Sequence, residues 1–188
     1  MYFMFLFEYR LTNLANFLIS STITSCYCIS YWKGFTPMWL PMISDCFVTP
    51  PANYISRIGV PIIAFIIMIH NKILHEYIKT NCFIIPMISS FSLSVVAAVN
   101  EKENIYIHNY AAYCFFVTYL MNMCIVSYYI KTKRWITLIY AMFVLYAPLG
   151  RYLPQCEWCA VGCLIWFIES TNKEIGNIKI IDILNYVK

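Results

Sequence analysis

Charge is what this chain has least of. Of its 188 residues only 12% are charged, thirteen Lys and Arg against nine Asp and Glu, while 61% are hydrophobic and the mean hydropathy is +0.66. Ordinary soluble domains carry about 25% charged residues, so the side chains needed to cover a water-soluble globule are missing. Glycine and proline are scarce as well, at five and eight, which excludes a low-complexity disordered chain. The basic residues never gather beyond Lys131, Lys133 and Arg134, so there is no stripe for a nucleic acid, and no such partner is expected. No positive segment precedes the apolar stretch Met1–Phe7, and Glu8 and Arg10 interrupt it before any small-residue cleavage site. The first apolar helix is therefore expected to stay in the mature protein. Asn-x-Ser/Thr sequons and Gly-x-x-x-Gly pairs are absent.

What is present is a series of charge-free runs. Three are long, between Arg10 and Lys33, Lys79 and Glu101, and Glu103 and Lys131; three are shorter, from Arg57 to Lys72, Arg134 to Arg151 and Glu157 to Glu169. A bilayer core of about 30 Å takes roughly 20 helical residues, and the shorter runs reach both interfaces if their flanking Lys and Arg side chains snorkel. The expectation is an all-α, polytopic membrane bundle. Its single membrane domain covers 1–171, with spans near 11–32, 57–76, 80–100, 109–130, 135–153 and 156–171 and an ordered lumenal loop at 33–56; a tail follows at 172–188. Arg10, Lys72, Lys79, Lys131, Lys133, Arg134, Lys173, Lys179 and Lys188 fall on one side, nine of the thirteen basic residues. By the positive-inside rule that side, with both termini, is cytosolic.

Within the spans, Asn13, Asn16, Ser20 and Thr24 share one helical face of the first helix, expected to meet other helices. Ser90, Ser94 and Ala98 form a small-residue packing face on the third. No charge lies near a predicted midpoint, which counts against proton pumps, ion-coupled carriers and voltage sensors. His70 and His75 are spaced five apart, poorly for joint metal ligation, and are expected at the surface. Cys156-x-x-Cys159 has no second pair; most of the nine cysteines read as apolar fillers, and neither a metal nor a cofactor is expected. In the tail, Ile180, Ile183, Leu184 and Val187 share a face, a weakly amphipathic pattern.

The ionisable residues that stand out belong to the lumenal end: Asp45 in the first loop, His108 before the fourth span and Glu157 at the start of the sixth. Helix capping and loop hydrogen bonds, a ligand-binding site, and acid–base catalysis are all open readings of such a trio. Cys46 and Cys156 lie on the same side, where a disulfide is permitted; two free thiols are the favoured alternative. The loop itself is specified by Pro41, Pro50 and Pro51, which restrict the backbone, and its apolar Trp39, Leu40, Ile43, Phe47 and Val48 are expected to fold back onto the bundle.

Three segments carry a family resemblance. Pro41-Met42-Ile43-Ser44-Asp45 followed by Pro50-Pro51, then Ile107-His108-Asn109-Tyr110-Ala111-Ala112 with Phe115 and Phe116, then Cys156-Glu157-Trp158, resemble the damage-regulated autophagy modulator (DRAM) family, grouped with the Frag and Sfk membrane proteins. The likeness spans Leu11 to Thr171; Cys46 and Phe47 depart from it, standing where small Thr-Gly residues are expected. It implies a six-helix protein of lysosomal, endosomal or plasma membranes, linked to autophagy, with no accepted catalytic mechanism. The implied function is a non-enzymatic modulator acting on membrane lipids or on membrane or cytosolic protein partners, with Pro41, Ile43, Ser44, Asp45, Pro50, Pro51, His108, Glu157 and Trp158 as its lumenal motif cluster. The alternatives are a lipid-remodelling or headgroup-binding protein using Asp45, His108 and Glu157 and, third, a small-solute transporter. With so little charge, the chain is expected to remain in the membrane pellet through alkaline carbonate extraction; recovery in the supernatant would refute the reading.

Overall fold

A computed structural model describes residues 2–36, 39–147 and 153–186, with side chains described over 12–36, 39–147 and 153–174. The face of Ile180, Ile183, Leu184 and Val187 lies outside those described side chains. Among the described residues six α-helices follow one another: α1 (Tyr2–Trp32), α2 (Ala52–Tyr77), α3 (Ile84–Ala98), α4 (Glu101–Tyr129), α5 (Arg134–Tyr146) and α6 (Leu153–Tyr186), with 3-10 turns at Asp45–Phe47 and Lys131–Lys133. No strand occurs among the described residues. The order follows the charge-free runs, and α6 continues past Thr171 to Tyr186 without a break.

Local chemistry sets the helix ends. Gly34, at φ +70°, ends α1 with Phe35 N donating to Ser30 O at 2.9 Å, the pattern of a left-handed cap. Lys79, at φ +56°, ends α2 in the same way, with Thr80 N donating to His75 O at 3.0 Å. At the start of α4 a capping box forms: Glu103 N donates to Asn100 Oδ1 at 3.1 Å, and Asn100 N to Glu103 Oε2 at 3.2 Å. Arg57, near the start of α2, bonds the same Glu103, and this guanidinium and the Asn100 N–H hold the Glu103 carboxyl below the usual carboxylate range.

Each helix packs against its neighbours in sequence, and α6 closes the ring on α1. The contacts run antiparallel. Cys26 Sγ on α1 reaches Ala52 O at one end, and Thr12 Oγ1 lies 3.4 Å from His70 Nδ1 at the other. Half of the ring's interior is filled by Tyr119, Tyr140, Phe167, Met123 and Leu74, all buried. The outer surface is apolar on every helix: Phe17, Phe65, Phe91, Tyr110, Leu145 and Trp166 are all exposed. Aromatic residues also mark both ends, Tyr31, Trp32 and Trp39 at one and Tyr128, Tyr129 and Trp135 at the other. Among the described residues two helices, α2 and α4, are long and apolar enough to cross a membrane. At 15 and 13 residues, α3 and α5 measure about 22 and 20 Å along their axes.

Two expectations are corrected. On α1 the polar row does not face other helices: Asn13, Ser20 and Thr24 are exposed and Asn16 is half-buried. The buried face is the next one round, Thr12, Ala15, Ile19, Thr22, Cys26 and Ser30, because it carries the surface that lets α2 approach. A Cβ on Gly59 of α2 would lie 2.8 Å from Thr22 Oγ1, so the glycine makes the close crossing possible. On α3, Ser90 is buried, Ser94 half-buried and Ala98 exposed, with Ser89 Oγ donating to Phe115 O of α4 at 3.3 Å.

The second correction concerns His70 and His75, which are buried at 1% exposure each rather than at the surface. They share the inward face of α2 with Ile63, Ile67 and Leu74, and polar partners await them there. His70 Nε2 lies 3.2 Å from Thr171 Oγ1 of α6. His75 sits between Thr80 Oγ1 at 2.6 Å and Asn122 Oδ1 at 2.7 Å; Asn122 Nδ2 then donates to Asn71 Oδ1 at 2.8 Å, and Asn71 Nδ2 to Ile67 O at 2.9 Å. Such a chain is stable only when every member is satisfied. Asn122→Leu, which strands both His75 and Asn71, is expected to cost about 1–3 kcal/mol, read as an earlier thermal transition in detergent. An unchanged transition, matching an Asn13→Leu control on the exposed face of α1, would refute the role.

Candidate functional site

The half of the ring that aromatic side chains do not fill holds a cavity of about 430 Å³, walled by residues from all six helices and from the α1–α2 loop. Ile19, Ile63, Phe115, Phe143 and Leu164 supply typical walls. Most of its polar lining, Ser44, Glu101, His108, Asn109 and Glu157, gathers at one end, and Thr22 and Tyr113 add hydroxyls to the wall. A largely apolar pocket with a few convergent polar groups is the usual form of a small-molecule site.

The loop reaches this end because α6 holds it. Ile43 N donates to Glu157 Oε2 at 2.8 Å, and Trp158 Nε1 donates to Pro41 O at 2.8 Å, so adjacent α6 residues grip the backbone on either side of Met42. Just before the gripped segment, Leu40 has φ +38°, a left-handed conformation that a branched side chain adopts only when its surroundings enforce it. Trp158 also stands edge-on to Tyr27 of α1, with ring centroids 6.2 Å apart. Further along, Ser30 Oγ donates to Cys46 O at 2.9 Å, and Ile43, Cys46 and Phe47 pack with Cys26, Ala52, Val60 and Ala97 in a second small core. The loop thus folds back as its apolar residues suggest, except Trp39, which is 83% exposed.

On the opposite wall α4 begins twice. Asn100 caps its first turn; Asn104 then leaves the helical region (φ −158°, ψ 98°), and its Oδ1 accepts from Ile107 N at 3.1 Å, capping the helix again. This break seats Glu101 beside His108. His108 Nδ1 lies 2.8 Å from Val99 O; a carbonyl only accepts, so Nδ1 carries the hydrogen. Nε2 is left facing Glu101 Oε1 at 3.6 Å, beyond hydrogen-bond reach, although His108 is only 2% exposed. Ser44 Oγ donates to the same Glu101 oxygen at 3.0 Å, tying loop to α4.

Of the trio singled out in the sequence, His108 and Glu157 line the cavity together; Asp45 opens the 3-10 turn behind it and is half-buried, outside the lining. Ile43 and Ser44 line it too, Pro41 and Trp158 fasten it, and Pro50 and Pro51, both exposed, lead into α2. Glu101 and Asn109 are additional site residues. The pair of Asn caps around Glu101 was the available sequence signal, since a double cap places an acidic turn across a helix end. Cys46 and Cys156 are both buried free thiols, and Cys46 Sγ donates to Met42 O at 3.5 Å. Burial pushes the Cys46 thiol up to about 12, with the nearby Asp45, Cys26 and Glu157 adding to the shift. Among the described residues no three His, Cys, Asp or Glu side chains are arranged to hold a metal ion.

What these features define is an all-helical ring enclosing an apolar chamber with a polar end. Comparison with protein-family models, with curated proteins and with solved structures returns no match.

Because its thiol is buried and neutral, Cys46 is expected to resist alkylation by maleimide between about pH 7 and pH 9. Trp158→Phe, which removes the tether at Pro41, is expected to speed the labelling. Wild-type labelling as fast as that of the exposed Cys82 would refute the packing of the loop.

Proposed function

We propose that this chain is a six-span integral membrane protein, both termini cytosolic, that acts without catalysis by holding a membrane amphiphile in its central cavity. The observation that carries the reading is the cavity itself: about 430 Å³, with largely apolar walls from every helix and with Ser44, Glu101, His108 and Glu157 gathered at one end. An amphiphile has that division of character. The apolar outer face of all six helices and the aromatic residues at both ends support immersion in a bilayer. The short α3 and α5 fit six spans if the bilayer thins locally or their Lys and Arg neighbours snorkel.

The resemblance to the DRAM family supports a role as a modulator in endolysosomal or other endomembranes, with the plasma membrane as the alternative site, and with lipids or protein partners as its contacts. A second reading, lipid remodelling, draws on one arrangement. His108, anchored through Nδ1 and facing Glu101 through Nε2, has the layout of an acid–base pair.

The test is photocrosslinking of the full-length protein, in nanodiscs, with a diazirine-bearing long-chain lipid. Label is expected on cavity-lining peptides of α4 and α6, and Ala112→Phe, which fills the chamber, should remove most of it. Absence of cavity labelling would overturn the proposal, and release of altered lipid during the incubation would favour remodelling.

A further inference from the structure

The inner part of the polar end is rich in acceptors, while Asn109, which brings both donors and an acceptor to the lining, is exposed. His108 Nδ1 is committed to Val99 O, so in the neutral ring Nε2 offers a lone pair. Glu101 offers carboxylate oxygens, of which Oε1 receives the Ser44 hydroxyl and faces Nε2 across 3.6 Å. Glu157 offers a third acceptor, with Oε2 bound by Ile43 N. Among the described residues, the Ser44 hydroxyl is already directed to Glu101, and the Arg57 guanidinium is engaged by Glu103 and is not part of the lining. His108 is nearly fully buried yet leaves Nε2 without a hydrogen bond, in the wall of an open chamber. In that position the nitrogen is open to a donor from whatever fills the chamber.

We infer that the occupant's polar head is a primary ammonium group, held by His108 Nε2, Glu101 and Glu157, with its hydrocarbon chain along the apolar walls. The inference rests on the amphiphile reading above and adds the headgroup to it. An ammonium brings three N–H donors and no acceptor, the complement of three converging acceptors. Its charge offsets the two carboxylates in surroundings too apolar for water to screen them. Phosphate, sulfate and carboxylate heads are disfavoured by those same carboxylates. A hydroxyl head donates one hydrogen bond and leaves two acceptors unmet. Two sources carry the required group, a free long-chain amine and phosphatidylethanolamine, and the second must accommodate its phosphate outside the acidic end.

The experiment uses the full-length protein in phosphatidylcholine nanodiscs, with a photoactivatable long-chain primary amine as probe. Unlabelled amine, alcohol and carboxylic acid of one chain length compete against it, as does phosphatidylethanolamine. The amine should compete at least about tenfold better than the alcohol, the scale of one charge-assisted hydrogen bond, and the acid should compete worst. Glu101→Gln, which keeps an acceptor for Ser44, should bring amine and alcohol to within about twofold. The ranking of heads on the unmodified protein needs no variant, so a poorly folding Glu101→Gln would not decide the matter. Equal competition by amine and alcohol would overturn this inference and leave the cavity reading standing. Failure of any long-chain compound to reach the cavity would end both. Phosphatidylethanolamine matching the free amine would support the ammonium head and name an aminophospholipid as its source.

Discussion

Two hydrogen bonds from the first turns of α6 govern the organised end of the molecule: Ile43 N to Glu157 Oε2 and Trp158 Nε1 to Pro41 O, both 2.8 Å. They join residues more than a hundred positions apart, and much else depends on them. The loop between α1 and α2 can lie across the ring only because its backbone groups find these partners, since an unpaired amide in an apolar setting would be expelled. Once the loop is down, Ser44 meets Glu101, and Ile43 and Phe47 close a small core with α1 and α2. The same contact makes Glu157 a structural and a chemical residue at once: one oxygen holds a main-chain N–H, and the side chain also lines the chamber.

The opposite half of the ring is held by different means. Large aromatic side chains fill it, and the row His75–Asn122–Asn71 runs among them with each side chain answering the next. Polar groups inside an apolar ring fix how helices turn about their axes, because a rotation that breaks one bond strands two buried groups. A filled half and an open half follow from this division. Packing is exhausted where Tyr119, Tyr140 and Phe167 meet, and the loop, not further side chains, covers the other end.

How far this could be read from the residues alone differs from feature to feature. The order and rough bounds of the helices were legible, since charges are so rare that they fall only where the chain turns. His108 and Glu157 were found as companions because both open a helix after a loop on one side of the molecule. Glu101 was not: Asn100 and Asn104 flank it as cap-type residues, but the string alone does not show that Asn104 interrupts α4 and swings the preceding turn over His108. Periodicity placed Asn13, Asn16, Ser20 and Thr24 on one face correctly but could not say which way the face points; that depends on where α2 comes closest, set by a single glycine at position 59. His70 and His75 were misjudged for a related reason: lysine and glutamate beside them suggest solvent, whereas the partners that make burial tolerable, Thr171 and Asn122, sit on other helices.

The closing of the ring by α6 on α1 has a bearing on how the molecule comes together. Every earlier helix meets its partner as soon as the next one is made, so pairs can form in the order of synthesis. The chamber cannot. Its last wall, its loop clasp and one of its two acidic groups all arrive with the final helix, so any chain interrupted before Leu153 has its polar end open and its α1–α2 loop unfastened.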